Sequence, residues 1–153
     1  MSLARSLGMR GFRITADAKP LYHAAAAVAA NLTHVVVAAA CGELARVGRS
    51  SRQAAAAALR PLVEQAVAAA LASGNLSSLT GPLVRGDVAT VRSHLRVLSP
   101  DLAAVYARVA GLAVHELKRE GMISAGTAMA LASALTNPNS CDSVGLVGSG
   151  EEG

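Results

Sequence analysis

The chain has 153 residues, 52% of them hydrophobic and 16% charged, with a formal net charge of +4. That length supports one ordinary domain with its own core, and that hydrophobic share argues against a disordered chain. Twelve arginines spread along the sequence with no interleaved aromatic residues do not make a nucleic-acid platform. Cys41 and Cys141, the two cysteines, make neither a disulfide framework nor a zinc site, so no metal and a cytoplasmic setting are expected.

Aromatic residues are only 2% of the chain: Phe12, Tyr22 and Tyr106. A core with so few rings is packed from Ala, Leu and Val, and alanine has the strongest helix propensity. The composition therefore points to an all-α fold. Residues 2–10 read as the end of a helix closed by Gly11, and Gly11 to Thr15 as a short extended segment. Asp17, followed by Ala18-Lys19-Pro20, reads as a side-chain cap with proline in the first turn. From there a long alanine-rich helix runs from about Lys19 to Arg46 and ends at Gly48. Its apolar run from Ala24 to Cys41 is long enough to raise a membrane span. Asn31, Thr33 and His34 interrupt its middle, so a buried central helix is expected instead, with no membrane.

Ser50 or Ser51 caps the next helix, which reaches about Ser73 and carries Pro61 inside it, where a kink or break is expected. A polar, glycine-rich connection follows from Ser73 to Asp87. Asp87 caps a short helix to about Leu98, Ser99-Pro100-Asp101 starts another that ends at Gly121, and a last one spans about Ser124 to Thr136. No βαβ alternation and no glycine fingerprint opening a helix is present. The expected architecture is a bundle of five to six helices around the long alanine-rich one. The tail, residues 138–153, is rich in glycine and serine and reads as flexible.

Two stretches carry polar groups that chemistry could use. On the long helix Tyr22 and His23 lie one turn inside the start, with Asn31 eight residues beyond His23 and His34 a further turn along. Taken alone, His23 reads as a core histidine satisfied by a hydrogen-bond partner. The second stretch is LTGPLVRGDVATVRSHL, Leu79 to Leu95. Gly81-Pro82 forces a turn, Gly86 frees the backbone before the cap, and Asp87, Thr90 or Val91, and His94 fall near one helix face. The structural reading of these residues is equally plain: Asp87 is a cap, Arg85 is solvated, and His94 is a helix-surface histidine.

Together the two stretches resemble the helical C-terminal domain of a Rossmann-like oxidoreductase family, domain of unknown function 2520, with a 6-phosphogluconate dehydrogenase C-terminal-domain-like fold. Tyr22, His23, Ala24, Ala25 and Asn31 match the family's pattern on the first helix. Thr80-Gly81-Pro82, Arg85-Gly86-Asp87, Thr90-Val91 and His94 match the second block. The resemblance implies that residues 1–15 are the seam with an absent dinucleotide-binding domain and that residues 16–137 are the helical dimerisation and substrate-side domain. It implies a homodimer, a small-molecule substrate, NAD or NADP bound by the whole protein, and neither cofactor binding nor catalysis by this chain alone. His23 would be the proton donor or a positioning group, and Asn31 would orient the substrate or the histidine. Tyr22, Arg85, Asp87 and His94 would lie on the substrate side, Arg85 as an anion clamp, with Asp87 and His94 setting the loop geometry. The competing expectation is a freestanding helical interaction module without chemistry.

Overall fold

The structure, a computed structural model, describes residues 13–137. The helix expected over residues 2–10, Gly11 and Phe12 of the extended segment, Cys141 and the tail 138–153 lie outside the described residues. Within them the chain is all-α, with six helices and no strand. We label these α1 (Lys19–Val47), α2 (Arg52–Ser73), α3 (Pro82–Arg85), α4 (Val88–Val97), α5 (Pro100–Arg119) and α6 (Ala125–Thr136). The chain divides after Ala40 into two compact units.

In the first unit, Arg13 to Thr15 carry no regular structure, and a turn with Ala18 N–H donating to the Thr15 carbonyl leads into α1. The expected Asp17 cap does not form. The residue at the cap position is Ala18, which has no side chain to offer, and Asp17 stands one residue too early. Its carboxylate instead accepts from the Thr15 hydroxyl, the largest cause of its lowered pKa. Inside α1, residues Ala27–Leu32 wind as a wider π-helical segment before regular α-helix resumes at Thr33–Val47.

The buried core belongs to the second unit and gathers on α4, α5 and α6. Val91 and Leu95 of α4 meet Ala110, Val114 and Leu117 of α5 and Ala128, Leu131, Ala134 and Leu135 of α6. Steps of three and four put each set on one face of its helix. Val91, Leu117 and Leu131 are fully buried. Gly121, at φ +70°, turns the chain between α5 and α6, and Met122 N–H closes onto the Leu117 carbonyl at 2.9 Å.

The long helix, expected to be buried at the centre, adds only Cys41 and Ala45 to the buried residues, and α2 adds only Ala55. Alanine side chains cover little area, so such a helix gains burial only when a second surface lies close against it.

The expected helix starts at Ser51, Asp87 and Ser124 are present, each side chain accepting from a backbone N–H three residues on. Ser99 does stand before α5 but makes no cap bond. Its hydroxyl goes to Glu43, which also pairs with Arg46 at 2.6 Å; together they hold the Glu43 carboxyl below its usual pKa. One further expectation is corrected. α2 runs unbroken through Pro61; Ala57 and Pro61 are exposed, so water can take the carbonyl that proline leaves without a donor. The helix α1 ends before Gly48 as expected, while the left-handed residue of the turn is Arg49 at φ 47°, and Ser50 N–H reaches back to the Ala45 carbonyl.

Candidate functional site

The first group of expected residues lies on α1, in the first unit. Tyr22, His23, Asn31 and His34 are all exposed, so the reading of His23 as a satisfied core histidine does not hold. In a regular α-helix, eight residues overshoot two turns by about 80°. The π-helical segment, which begins at Ala27, reduces that overshoot, because each residue there advances through a smaller angle. It therefore turns Asn31 toward the His23 face. Thr33 Oγ1 donates to the Val28 carbonyl at 3.4 Å, inside the same widened turn.

The second group belongs to the second unit. Gly81, at φ +103°, precedes Pro82, which opens the one-turn helix α3. Arg85 ends α3 and is exposed. Gly86 sits at φ +68°, and a Cβ there would fall 2.7 Å from Thr127 Cγ2 of α6. Glycine is thus required twice, by backbone conformation and by close approach. Asp87 follows as the cap of α4: Oδ1 accepts from Thr90 N–H at 3.0 Å and Oδ2 from the Thr90 hydroxyl at 2.6 Å. Those bonds hold its carboxyl below the usual range, with smaller contributions from the charges of Arg85 and His94.

Arg85 and His94 both act on the Asp87 carboxylate, and Asp87 is the helix cap that the sequence reading expected. Asp87 sets the loop geometry with Thr90. Val91, the other candidate on that face, is fully buried in the core. His94 is not part of the loop: its Nδ1 lies 3.1 Å from the Tyr106 hydroxyl of α5, the two rings edge-to-face at 88° with centroids 5.7 Å apart. Tyr106 packs against the core, and partial burial pushes its phenol pKa up. Sequence reasoning missed Tyr106. Its scarcity was a signal, since it is one of three aromatic residues, but nothing local ties it to a histidine on another helix.

Beside this motif, a cleft of 380 Å³ runs along α2, with Leu62, Ala66, Leu76 and Leu79 as apolar walls and Asn75 and Thr80 as polar points. Among the described residues no group of three or more His, Cys, Asp or Glu side chains could hold a metal ion. No strand is present among them, and so no glycine-rich strand-to-helix turn of the kind that cradles a dinucleotide's pyrophosphate. What the arrangement offers is an exposed guanidinium, a carboxylate fixed as a cap, and an imidazole held by a phenol.

No curated protein and no solved structure matches this chain. A family model does, over residues 1–112, with the description domain of unknown function (DUF2520). The match covers well over half of the sequence and spans both polar groups just described, and the chain belongs to that family.

Proposed function

We propose that the chain is the helical dimerisation and substrate-side domain of an NAD(P)-dependent oxidoreductase, completed by a second copy of itself and by a separate dinucleotide-binding domain. One observation carries the reading. Both long helices, Lys19–Val47 and Arg52–Ser73, are apolar, yet only 6% of the most apolar window of each is buried. Soluble chains rarely leave such surface to water, so a partner is called for. By length and composition alone both helices could cross a membrane. Arg60, Glu64 and Gln65 in the middle of α2, and Asn31 and His34 in the middle of α1, argue for a protein surface, because polar and charged groups are costly in hydrocarbon.

In this reading the redox chemistry belongs to the cofactor held by the dinucleotide-binding domain. The chain's own residues bind and handle protons. Arg85 takes an anionic group of a small-molecule substrate through parallel N–H donors. His23 is the proton donor or positions the reacting group, and imidazole suits that role near neutral pH. Asn31 and Tyr22 orient the ligand, and Asp87 with His94 completes the substrate side. The cytoplasmic setting expected from the cysteine usage goes with this reading.

The test is the mass of the native polypeptide in its source cell, detected with an antibody raised against this chain. A band near twice 15.3 kDa, enough for a further domain of ordinary length, supports the oxidoreductase. Loss of NAD(P)H-dependent turnover in the His23→Ala variant of that longer protein would then support the acid–base role. A band at 15.3 kDa would overturn the reading in favour of a freestanding interaction module.

A further inference from the structure

We propose that Tyr106 is a positioning residue for His94, locking the imidazole as the Nε2–H form so that this N–H is the group presented to a ligand oxygen. The inference rests on the reading of His94 as a substrate-side residue, but its geometry stands independently of the redox assignment.

Both partners come from rigid elements. His94 sits on α4 between Val91 and Leu95, which are buried, and Tyr106 sits on α5 against the same core. The contact between them spans two different helices and is fixed at two points, a 3.1 Å hydrogen bond and an edge-to-face ring contact. The sense of the hydrogen bond follows from counting donors. The Tyr106 hydroxyl has no other hydrogen bond among the described residues. If Nδ1–H donated to it, the phenolic hydrogen of a half-buried residue would be left without an acceptor, which is costly. With the phenol donating, Nδ1 is the acceptor and the single ring hydrogen of neutral His94 must sit on Nε2. Burial keeps the phenol protonated, so the donor persists across the neutral range.

Nε2 has no hydrogen-bond partner among the described residues, and His94 is only partly buried. Arg85 ends α3 two residues before the Asp87 cap, and His94 lies seven residues beyond Asp87, two turns along the same face of α4. A neutral N–H donor and a guanidinium in one neighbourhood recognise an oxygen-rich anion. The ligand class is therefore a small carboxylate, with one oxygen taken by Nε2–H and the charge met by Arg85.

The experiment uses the full chain labelled with ¹⁵N-histidine at alkaline pH, where imidazole is neutral. Long-range ¹H–¹⁵N spectra assign the ring hydrogen of each histidine, with His94→Gln identifying the His94 signals. The expected result is a pure Nε2–H form for His94 and, in Tyr106→Phe, a mixture of both forms with unchanged backbone amide shifts in α4 and α5. A ring hydrogen on Nδ1 in the wild type, or ring nitrogens unmoved by Tyr106→Phe, would overturn the proposal. Phe keeps the ring and the packing, so a merely structural role would leave the nitrogen signals where they are. Titration with malonate then reads the ligand side. Expected is a shift of the Nε2–H signal that is lost in Arg85→Gln. A pure Nε2–H form with no malonate response would reject the anion role given to Arg85 and His94 while leaving the Tyr106–His94 lock standing.

Discussion

Single residues in the second polar group have consequences that can be measured separately. Gly86 combines a left-handed backbone with a Thr127 methyl 2.7 Å from where a Cβ would stand. Gly86→Ala is expected to cost about 1–3 kcal/mol, part conformational and part steric. Urea denaturation of Gly86→Ala, Thr127→Ala and the double variant separates the two: the double variant should recover the steric part only, and strict additivity would mean the close approach carries no energy. Asp87 is the second case. Its carboxyl is held below the usual value by the Thr90 hydroxyl and N–H. A carboxyl lowered in the folded state contributes stability above its unfolded pKa of about 3.9, and that contribution is lost as pH falls through the folded value. Asp87→Asn keeps a capping side chain but removes the charge. Its melting temperature should lie below that of the wild type at pH 7, and the gap should close below about pH 4. Glu43, lowered by Ser99 and Arg46, works in the same direction, and Asp87→Asn leaves its contribution in place as a common background.

The elements differ in how far local chemistry announces them. Asp87 as a cap, Ser50 or Ser51 as a cap, and Ser124 as the start of the last helix were readable because a cap is a short-range bond between a side chain and an N–H three residues away. The turn at Gly121 was readable for the same reason, since only glycine enters that backbone region cheaply. The π-helical segment was not readable, because Ala27–Leu32 contains no proline, glycine or charge to mark it. Nor was the Tyr106–His94 contact, which depends on how two helices pack. Between these lies the end of α1. The sequence offers Gly48 as the stop, but the residue that turns left-handed is Arg49, where a side chain clashes with its own backbone at a cost of roughly 1–2 kcal/mol. Replacing it should therefore release energy. Arg49→Gly is expected to stabilise the fold by about 0.5–1 kcal/mol after the entropy that glycine adds to the unfolded chain. A chemical melt reads this directly, and a loss of stability would mean the arginine side chain makes a contribution that its exposed position hides.

For the molecule as a whole, α4, α5 and α6 share a buried core even though Val97, Val109, Leu112 and Met129 on them are exposed, while the two long helices bury only 6% of their most apolar windows. Leu21 on α1 is 74% exposed and Leu71 on α2 is 81% exposed. Of the two, α1 is the helix that reads in the sequence as a buried centre, and that expectation of burial was a statement about apolar surface that the described residues leave exposed. In the proposed dimer a second copy would meet it with no new chemistry, because a two-fold pairing places the same apolar surface on both sides. The expectation is a species of twice 15.3 kDa by light scattering after gel filtration. Leu21→Glu and Leu71→Glu, made separately, locate the contact. Whichever leucine lies at its centre should give a species of 15.3 kDa with the helical circular dichroism unchanged, since neither side chain supports the core. The alternative occupant is lipid, and flotation with neutral phosphatidylcholine vesicles distinguishes it. Wild-type protein that floats, and Leu21→Glu or Leu71→Glu protein that does not, would assign the apolar helices to a membrane. Protein that stays at the bottom of the gradient as a dimer would assign them to each other, because the same exposed leucines cannot be covered by both partners at once.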